Sequence, residues 1–213
     1  TRELVRDILT FPAFRDAEIA LMDINEERLR FIEQACNKLV AQGKYPAKVT
    51  ATMERSVALK GADGVVITIL SGGPSIFRTD IEIPMKYGID INVGDTRGPS
   101  GIFRFLRTAP AMLEICRDIE RYCPDAVVLN YTNPMAMLCR YLQSETSLNI
   151  TGLCHSVQCC SEHLLKALGM DDKLEGRKET IAGINHMGWL LELYDKDGND
   201  LYPEIRRRAA EKN

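Results

Sequence analysis

The stretch AEIALMDINEERLRFIEQACNKLVAQG, residues 17–43, decides the fold. Its first part, 17–24, is a short apolar run that reads as a buried strand. The remainder, 25–43, carries apolar residues at about the 3.6-residue period of an amphipathic helix and stops at Gly43. A strand apolar on both faces and followed at once by a helix is the unit from which parallel sheets are wound, because a parallel neighbour is reached only through a crossover.

The same alternation continues outward. AKVTATM (47–53) is a second strand, and ERSVALKGA (54–62) is a short helix. DGVVITILSGG (63–73) is a nearly continuous β-branched run that ends in glycines. PSIFRTDIEIPMKYGIDINVGDTRGPSG (74–101) reads as a long irregular stretch. The helix after it, 102–123, is kinked or restarted by Pro110. DAVVLNYTNP (125–134) is strand and turn, 135–145 helix, LNITGLCHS (148–156) strand and turn, and 157–170 helix. The segment 179–201 carries further strands, with a turn at Asp197 and Gly198. Strands alternating with helices of this length imply right-handed crossovers and an α/β fold with a mainly parallel sheet and flanking helices.

Bulk composition narrows the function classes. Of the 213 residues 45% are apolar and 27% charged, an ordinary globular balance with room for one sizeable domain and part of a second. With Lys+Arg 27 against Asp+Glu 30 and a net charge of -3, nothing favours nucleic acid or an anionic membrane as partner. Seven cysteines without framework spacing suit a reducing compartment, so the cytoplasm is the expected location. The chain has no apolar stretch of membrane-spanning length and no signal-peptide core at its start.

The chemistry gathers at strand ends. In an open parallel sheet ligands bind at the carboxyl ends of the strands, so the turns MDIN, SGG, NYTNP and LCHS can share one crevice. Asp23 closes a strand before a helix, where a carboxylate either holds a ribose diol or caps the helix. Gly72, within SGG, either lets a backbone approach a ligand or simply turns the chain. GDTRGPSG (94–101) is denser in glycine and polar residues than a connector needs, and its Asp95 either holds a sugar hydroxyl or braces the loop. Asn130 and Asn133, in NYTNPM, both donate and accept hydrogen bonds and suit a nicotinamide carboxamide or a sugar diol.

Cys154 and His155 follow a short apolar run. A buried cysteine is ordinarily a small hydrophobe, and adjacent strand residues point to opposite faces until the strand ends. A second histidine, His186 in GINHMGW, lies one helix-and-crossover unit further on, where a neighbouring parallel strand would bring it to the same sheet edge. A thiolate and an imidazole leave coordination positions open for substrate and water, as a catalytic metal site requires, without choosing the metal. His163 reads as a surface residue, and Cys159 and Cys160 as helix packing.

Assembled in this order, ALMDI, GDTRGPSGIFRFLRT, CPDAVVLNYTNPMAM, GLCHSVQ, AGINHMGW and LYPE resemble glycoside hydrolase family 4, the NAD- and metal-dependent glycosidases. The likeness runs through nearly all of the chain, and the ordered set is more specific than any member of it. Consistent with that family, the sequence offers no convincing pair of carboxylates for ordinary acid-base glycoside hydrolysis. The resemblance implies a Rossmann-like sheet of the lactate/malate dehydrogenase type, with 1–150 as the NAD-binding domain and 151–213 as the start of the metal- and substrate-binding catalytic domain. It also implies a glycoside substrate, NAD, a divalent metal such as Mn2+, and dimers or tetramers. The implied reaction oxidises C3 of the sugar, which acidifies the C2 proton. Elimination of the C1 oxygen, addition of water and re-reduction follow, so that NAD is not consumed.

By the same resemblance Cys154 and His186 are the metal ligands, and Asn133, His155 and Arg78 bind substrate. Asp23, Gly72 and Asn130 serve the cofactor. His155 and Asp95 are the candidate catalytic groups. HSVQ and NHM are similar to the non-phosphorylated α-galactosidase group, with α-glucosidase and uronic-acid specificities as alternatives. Against the family pattern, the glycine-rich pyrophosphate loop would lie before Thr1 and the catalytic tyrosine beyond Asn213. GPSG also stands where a third glycine is common. Residues 1–213 alone are therefore expected to lack activity, truncated at both ends and without the first strand. The rival readings are a lactate/malate-type dehydrogenase, which needs an arginine pair and no metal, and an NAD-sensing module without catalysis.

Overall fold

The β-branched run after Asp63 forms a strand over its first four residues and leaves the sheet before its glycines. The computed structural model describes residues 1–90, 94 and 96–212. Gly64–Ile67 is β3, which pairs in parallel with β4 (Val127–Asn130), and β4 pairs in parallel with β5 (Ile150–Gly152). Upstream, β1 (Glu18–Met22) pairs in parallel with β2 (Lys48–Thr52). The parallel sheet is thus in two pieces among the described residues, with β1 and β3 both at edges. The helices α1 (Arg2–Thr10) and α2 (Glu26–Gly43) cover one face of β1, burying Val5, Leu9, Leu29 and Cys36 against Leu21. The second core lies under α5 (Gly98–Tyr122) and α6 (Met135–Glu145), where Met112, Cys116, Ile119, Leu138 and Leu142 bury Ile67, Val128 and Ile150.

Four expectations need correction. The stretch 74–101 contains α4 (Ile76–Met85), and α5 starts within it at Gly98. Pro84 lies in the last turn of α4, where it ends the helix instead of preventing it. Pro110 neither ends nor restarts α5, which runs through it. An interior proline costs ~3 kcal/mol, and the burial of Ala109, Met112, Cys116 and Ile119 on the same helix offsets that loss, since each large apolar side chain contributes about 1.5–3 kcal/mol. The residue that stops α2 is Lys44, left-handed at φ 52. Gly43 instead makes room for an aromatic ring, since a Cβ there would lie 2.1 Å from the side chain of Tyr45, which folds back over it.

The fourth correction concerns the segment after α7 (Ser156–Ala167). Its strands β6 (Lys178–Ile184) and β7 (Met187–Tyr194) form an antiparallel hairpin and do not extend the parallel sheet. Ile184 pairs with Met187, so Asn185 and His186 are the turn. A third core, Leu165, Met170, Leu193, Leu201 and Ile205, fastens the hairpin to α7 and to α8 (Tyr202–Lys212). Among the described residues no helix is long and apolar enough to cross a membrane.

Candidate functional site

The site is built where β3, β4 and β5 end. Asn130, the last residue of β4, is fully buried: its Oδ1 accepts the Thr132 N–H at 2.8 Å, and its Nδ2 donates to the Thr132 carbonyl at 3.2 Å. The Thr132 hydroxyl in turn accepts the Ile69 N–H at 3.0 Å, tying the turn after β3 to the turn after β4. Leu153 N–H donates to the Asn130 carbonyl at 2.9 Å and fastens the end of β5 to the same point. The carboxamide expected beside the nicotinamide is therefore spent inside the scaffold. Asn130 braces the crevice and offers it no surface.

Gly152 closes β5 against α6. A Cβ there would lie 2.1 Å from Met135 Sδ and 2.8 Å from Cys139 Sγ, so a glycine is needed for the strand to deliver Leu153 and Cys154 at this level. The next residues line a cavity of about 260 Å³ formed by Tyr131, Asn133, Leu153, Cys154, His155, Ser156 and His186. His155 is the exposed N-cap residue of α7. Asn133 Oδ1 accepts the Met135 N–H at 3.3 Å as the chain enters α6. Four of the residues singled out in the sequence, Asn133, Cys154, His155 and His186, thus converge on one cavity.

The geometry of the pair is specific. Cys154 Sγ lies 3.4 Å from His186 Nε2 and 3.3 Å from Ser156 Oγ. Metal bonds of about 2.3 Å to sulfur and about 2.0 Å to nitrogen, opened by between a right angle and a tetrahedral angle, separate the two donors by about 3.1–3.5 Å. The donor set and its spacing therefore fit a shared divalent ion. Among the described residues no cluster of three or more His, Cys, Asp or Glu is placed to hold a metal. Two protein donors leave the other positions to water and substrate oxygens, the open arrangement of a catalytic site. His186 reaches this position from a hairpin turn, with its backbone left-handed at φ 56, and not from the end of a parallel strand as the sequence suggested. For a residue other than glycine that conformation costs about 1–2 kcal/mol.

Other expected residues lie elsewhere. Asp23 opens the turn after β1, where its carboxylate accepts from Arg28 at 2.7 and 2.5 Å and from the Asn25 N–H at 2.9 Å. The Arg28 guanidinium holds its carboxyl below the usual range. Arg78 stands on the exposed side of α4, paired with Glu82 at 2.5 Å, and does not line the cavity. Gly72 has φ 86, but the group that approaches it is Arg107, whose Cδ would lie 2.9 Å from a Cβ. Asp95 lies outside the described residues. His163 is exposed as expected, whereas Cys160 is exposed and not helix packing, because the core side of α7 runs through Ser161 and Leu165.

Sequence reasoning missed Leu153, Tyr131, Ser156 and Thr96. Tyr131 and Ser156 border the cavity, each next to a residue whose chemistry the sequence singles out. Thr96, an ordinary polar residue inside GDTRGPSG, has its Oγ1 3.3 Å from His186 Nδ1. The signal available was its loop, and nothing local distinguished the threonine from its neighbours.

The sequence model of the family 4 glycosyl hydrolases matches residues 1–170, and the model of that family's C-terminal domain matches residues 181–213. The chain belongs to glycosyl hydrolase family 4. It is 45% identical over 213 residues to an alpha-galactosidase of Bacillus subtilis (strain 168), covering 99% of this chain and 48% of that protein. An alpha-galactosidase of Rhizobium meliloti (strain 1021) is 38% identical over 195 residues, 91% of this chain and 39% of that one. The crystal structure of a 6-phospho-alpha-glucosidase from gut microorganisms, in complex with NAD and Mn2+, superposes with a TM-score of 0.83 at 26% identity, covering 100% of this chain and 48% of that one. The family 4 chain thus spans about half the length of these relatives, and its α/β sheet with flanking helices is the Rossmann-like fold of the family.

Proposed function

We propose that the protein carrying this chain is an NAD- and divalent-metal-dependent α-glycosidase, with an α-galactoside as substrate. The observation that carries the proposal is the 3.4 Å approach of Cys154 Sγ to His186 Nε2 within a cavity that also presents Asn133 and His155. The α-galactosidases at 45% and 38% identity support the choice of sugar. The solved relative in complex with NAD and Mn2+ supports the choice of cofactors.

In this reading Cys154 and His186 hold the metal. When bound, the metal supplies Lewis-acid stabilisation of negative charge developing on the sugar oxygens, and NAD supplies a hydride acceptor. The chain's own residues bind and orient. Asn133, fixed by the Met135 N–H, turns its carboxamide to sugar hydroxyls. His155, exposed and lining the same cavity, is the candidate donor of a proton to the departing oxygen. Asp23 remains the candidate for the ribose diol, with Arg28 keeping it ionised, and Gly72 stays a cofactor contact only through its backbone. Arg78, from outside the cavity lining, completes the proposed substrate set, and Asp95 remains a candidate catalytic group.

Residues 1–150 are assigned to the cofactor domain and 151–213 to the metal and substrate domain. This division is supported by the placement of β1 to β4 before Ile150 and of Cys154 and His186 after it. A cytoplasmic location is supported by seven cysteines that are all free. A homo-oligomer, dimer or tetramer, is proposed from family membership alone.

The test is hydrolysis of p-nitrophenyl α-galactoside, α-glucoside and α-glucuronide by a full-family-length protein containing residues 1–213, with NAD+, Mn2+ and a thiol reductant. Turnover of the galactoside, lost on chelation and restored by Mn2+, is expected. Activity that survives chelation rejects the metal-dependent reading, and preference for another sugar rejects the galactoside.

A further inference from the structure

The His186 ring is contacted at both nitrogens, by Cys154 Sγ at Nε2 and by Thr96 Oγ1 at Nδ1. A neutral imidazole carries one proton, so one nitrogen donates and the other presents its lone pair. A metal at Nε2 demands the lone pair there, which puts the proton on Nδ1. The group facing Nδ1 must then accept. Thr96 Oγ1 is a hydroxyl with two lone pairs, lies 3.3 Å from Nδ1, and meets that demand.

We infer that Thr96 is a positioning residue that fixes the Nδ1–H tautomer and the ring orientation of His186, leaving Nε2 free to bind the divalent metal. The inference rests on the proposed metal site and deepens it. Were Nδ1 instead to accept from the Thr96 hydroxyl, Nε2 would carry the proton and donate it toward the Cys154 sulfur, and the pair would not ligate.

Thr96 is itself held in place by the fold. A Cβ on Gly101 would lie 2.8 Å from the Thr96 carbonyl carbon, so the first turn of α5 presses directly on the Thr96 backbone, and only glycine permits that approach. Ser100 donates to the Asp80 carbonyl at 2.5 Å and fixes the same turn to α4. The histidine needs such support because its own element gives little: it sits on a two-residue turn whose neighbours Ile184 and Met187 are exposed. A loop from the first half of the chain thus orients a ligand carried by the second half, across a sequence separation of 90.

The experiment measures Mn2+ binding by loss of the free-ion EPR signal, without substrate or turnover, for the full-family-length protein containing residues 1–213, as wild type and as Thr96→Val, Thr96→Ser and Cys154→Ser. Valine keeps the branched shape and removes the acceptor, whereas serine keeps the hydroxyl. Removing a group that orients a metal-bound histidine weakens metal binding by about 10–100-fold, so Thr96→Val is expected to raise the Mn2+ Kd by roughly tenfold or more. Thr96→Ser should stay within about threefold of wild type, since it retains the acceptor. Nitrogen-15 spectra of the same protein without metal should show the His186 proton on Nδ1 in wild type and a mixed tautomer in Thr96→Val. Wild-type Mn2+ affinity in Thr96→Val, or equal losses in the serine and valine variants, overturns the inference. Wild-type affinity in Cys154→Ser overturns instead the metal site on which it rests.

Discussion

Replacing Arg107 by methionine removes the fork that joins three segments behind the site. Its guanidinium donates to both oxygens of Asp80 at 3.0 and 2.6 Å and to the Ser71 carbonyl at 3.2 Å, so α5 grips α4 and the glycine turn after β3 at once. The Asp80 side chain is only 7% exposed and that of Arg107 22%. Water therefore does not take over when the partner leaves. Removing one member of such a buried pair costs about 3–5 kcal/mol, because the other charge stays buried and unpaired. For a chain of this size that corresponds to a fall of roughly 6–20 °C in Tm. Arg107→Lys keeps the charge without the planar fork and should lie between wild type and methionine. In Asp80→Leu with Arg107→Met no charge is left stranded, and the loss should fall short of the sum of the single losses by about 2 kcal/mol. Urea unfolding followed by far-UV circular dichroism measures all four, with the slope m unchanged as the check on two-state behaviour. A loss below about 1 kcal/mol for Arg107→Met, or strict additivity in the double variant, refutes the reasoning.

Two further perturbations test other parts of the scaffold. Asn130→Ala strands the Thr132 N–H and carbonyl inside the turn after β4, and should cost about 1–3 kcal/mol in the same urea assay; a neutral effect would mean that water replaces the carboxamide. The Asp195 carboxyl is held down to about 2 by the Asn199 backbone and side chain, the Asp197 N–H and Lys173. A carboxyl depressed on folding contributes stability above its unfolded value of 3.8 and loses it as pH falls toward about 2. Protection of the Asp197 and Asn199 amides, taken relative to the intrinsic exchange rate at each pH, should therefore fall across that window in wild type but not in Asp195→Asn, and identical pH profiles would remove the carboxylate from the account.

What the sequence made legible follows from the range of the forces involved. Cys154 could be found because a strand boundary is a local event: the apolar run ends, Gly152 admits α6, and the next residue is released from the alternation of faces. His186 could be found as a residue but not as a placement. A period-two pattern is the same in a parallel strand and in a hairpin, and the turn Asn185–His186 lacks the glycine that would have announced a reversal. The left-handed conformation is carried by histidine itself, which adopts it more often than most non-glycine residues yet still too rarely for the sequence to mark a reversal. A carboxamide at a strand end has the right chemistry for a ligand, which is why the sequence points Asn130 at the cofactor. Only the structure shows that Thr132 consumes that carboxamide, two residues away. The Asp80–Arg107 fork and the Thr96–His186 contact were illegible for a stronger reason, since each joins residues distant in sequence across elements whose packing no local pattern encodes. The groups that do chemistry sit at strand ends, where topology alone gathers them. The groups that aim them arrive from α4, α5 and the loop before α5, and their effect on metal affinity is where the two kinds of residue can be told apart by experiment.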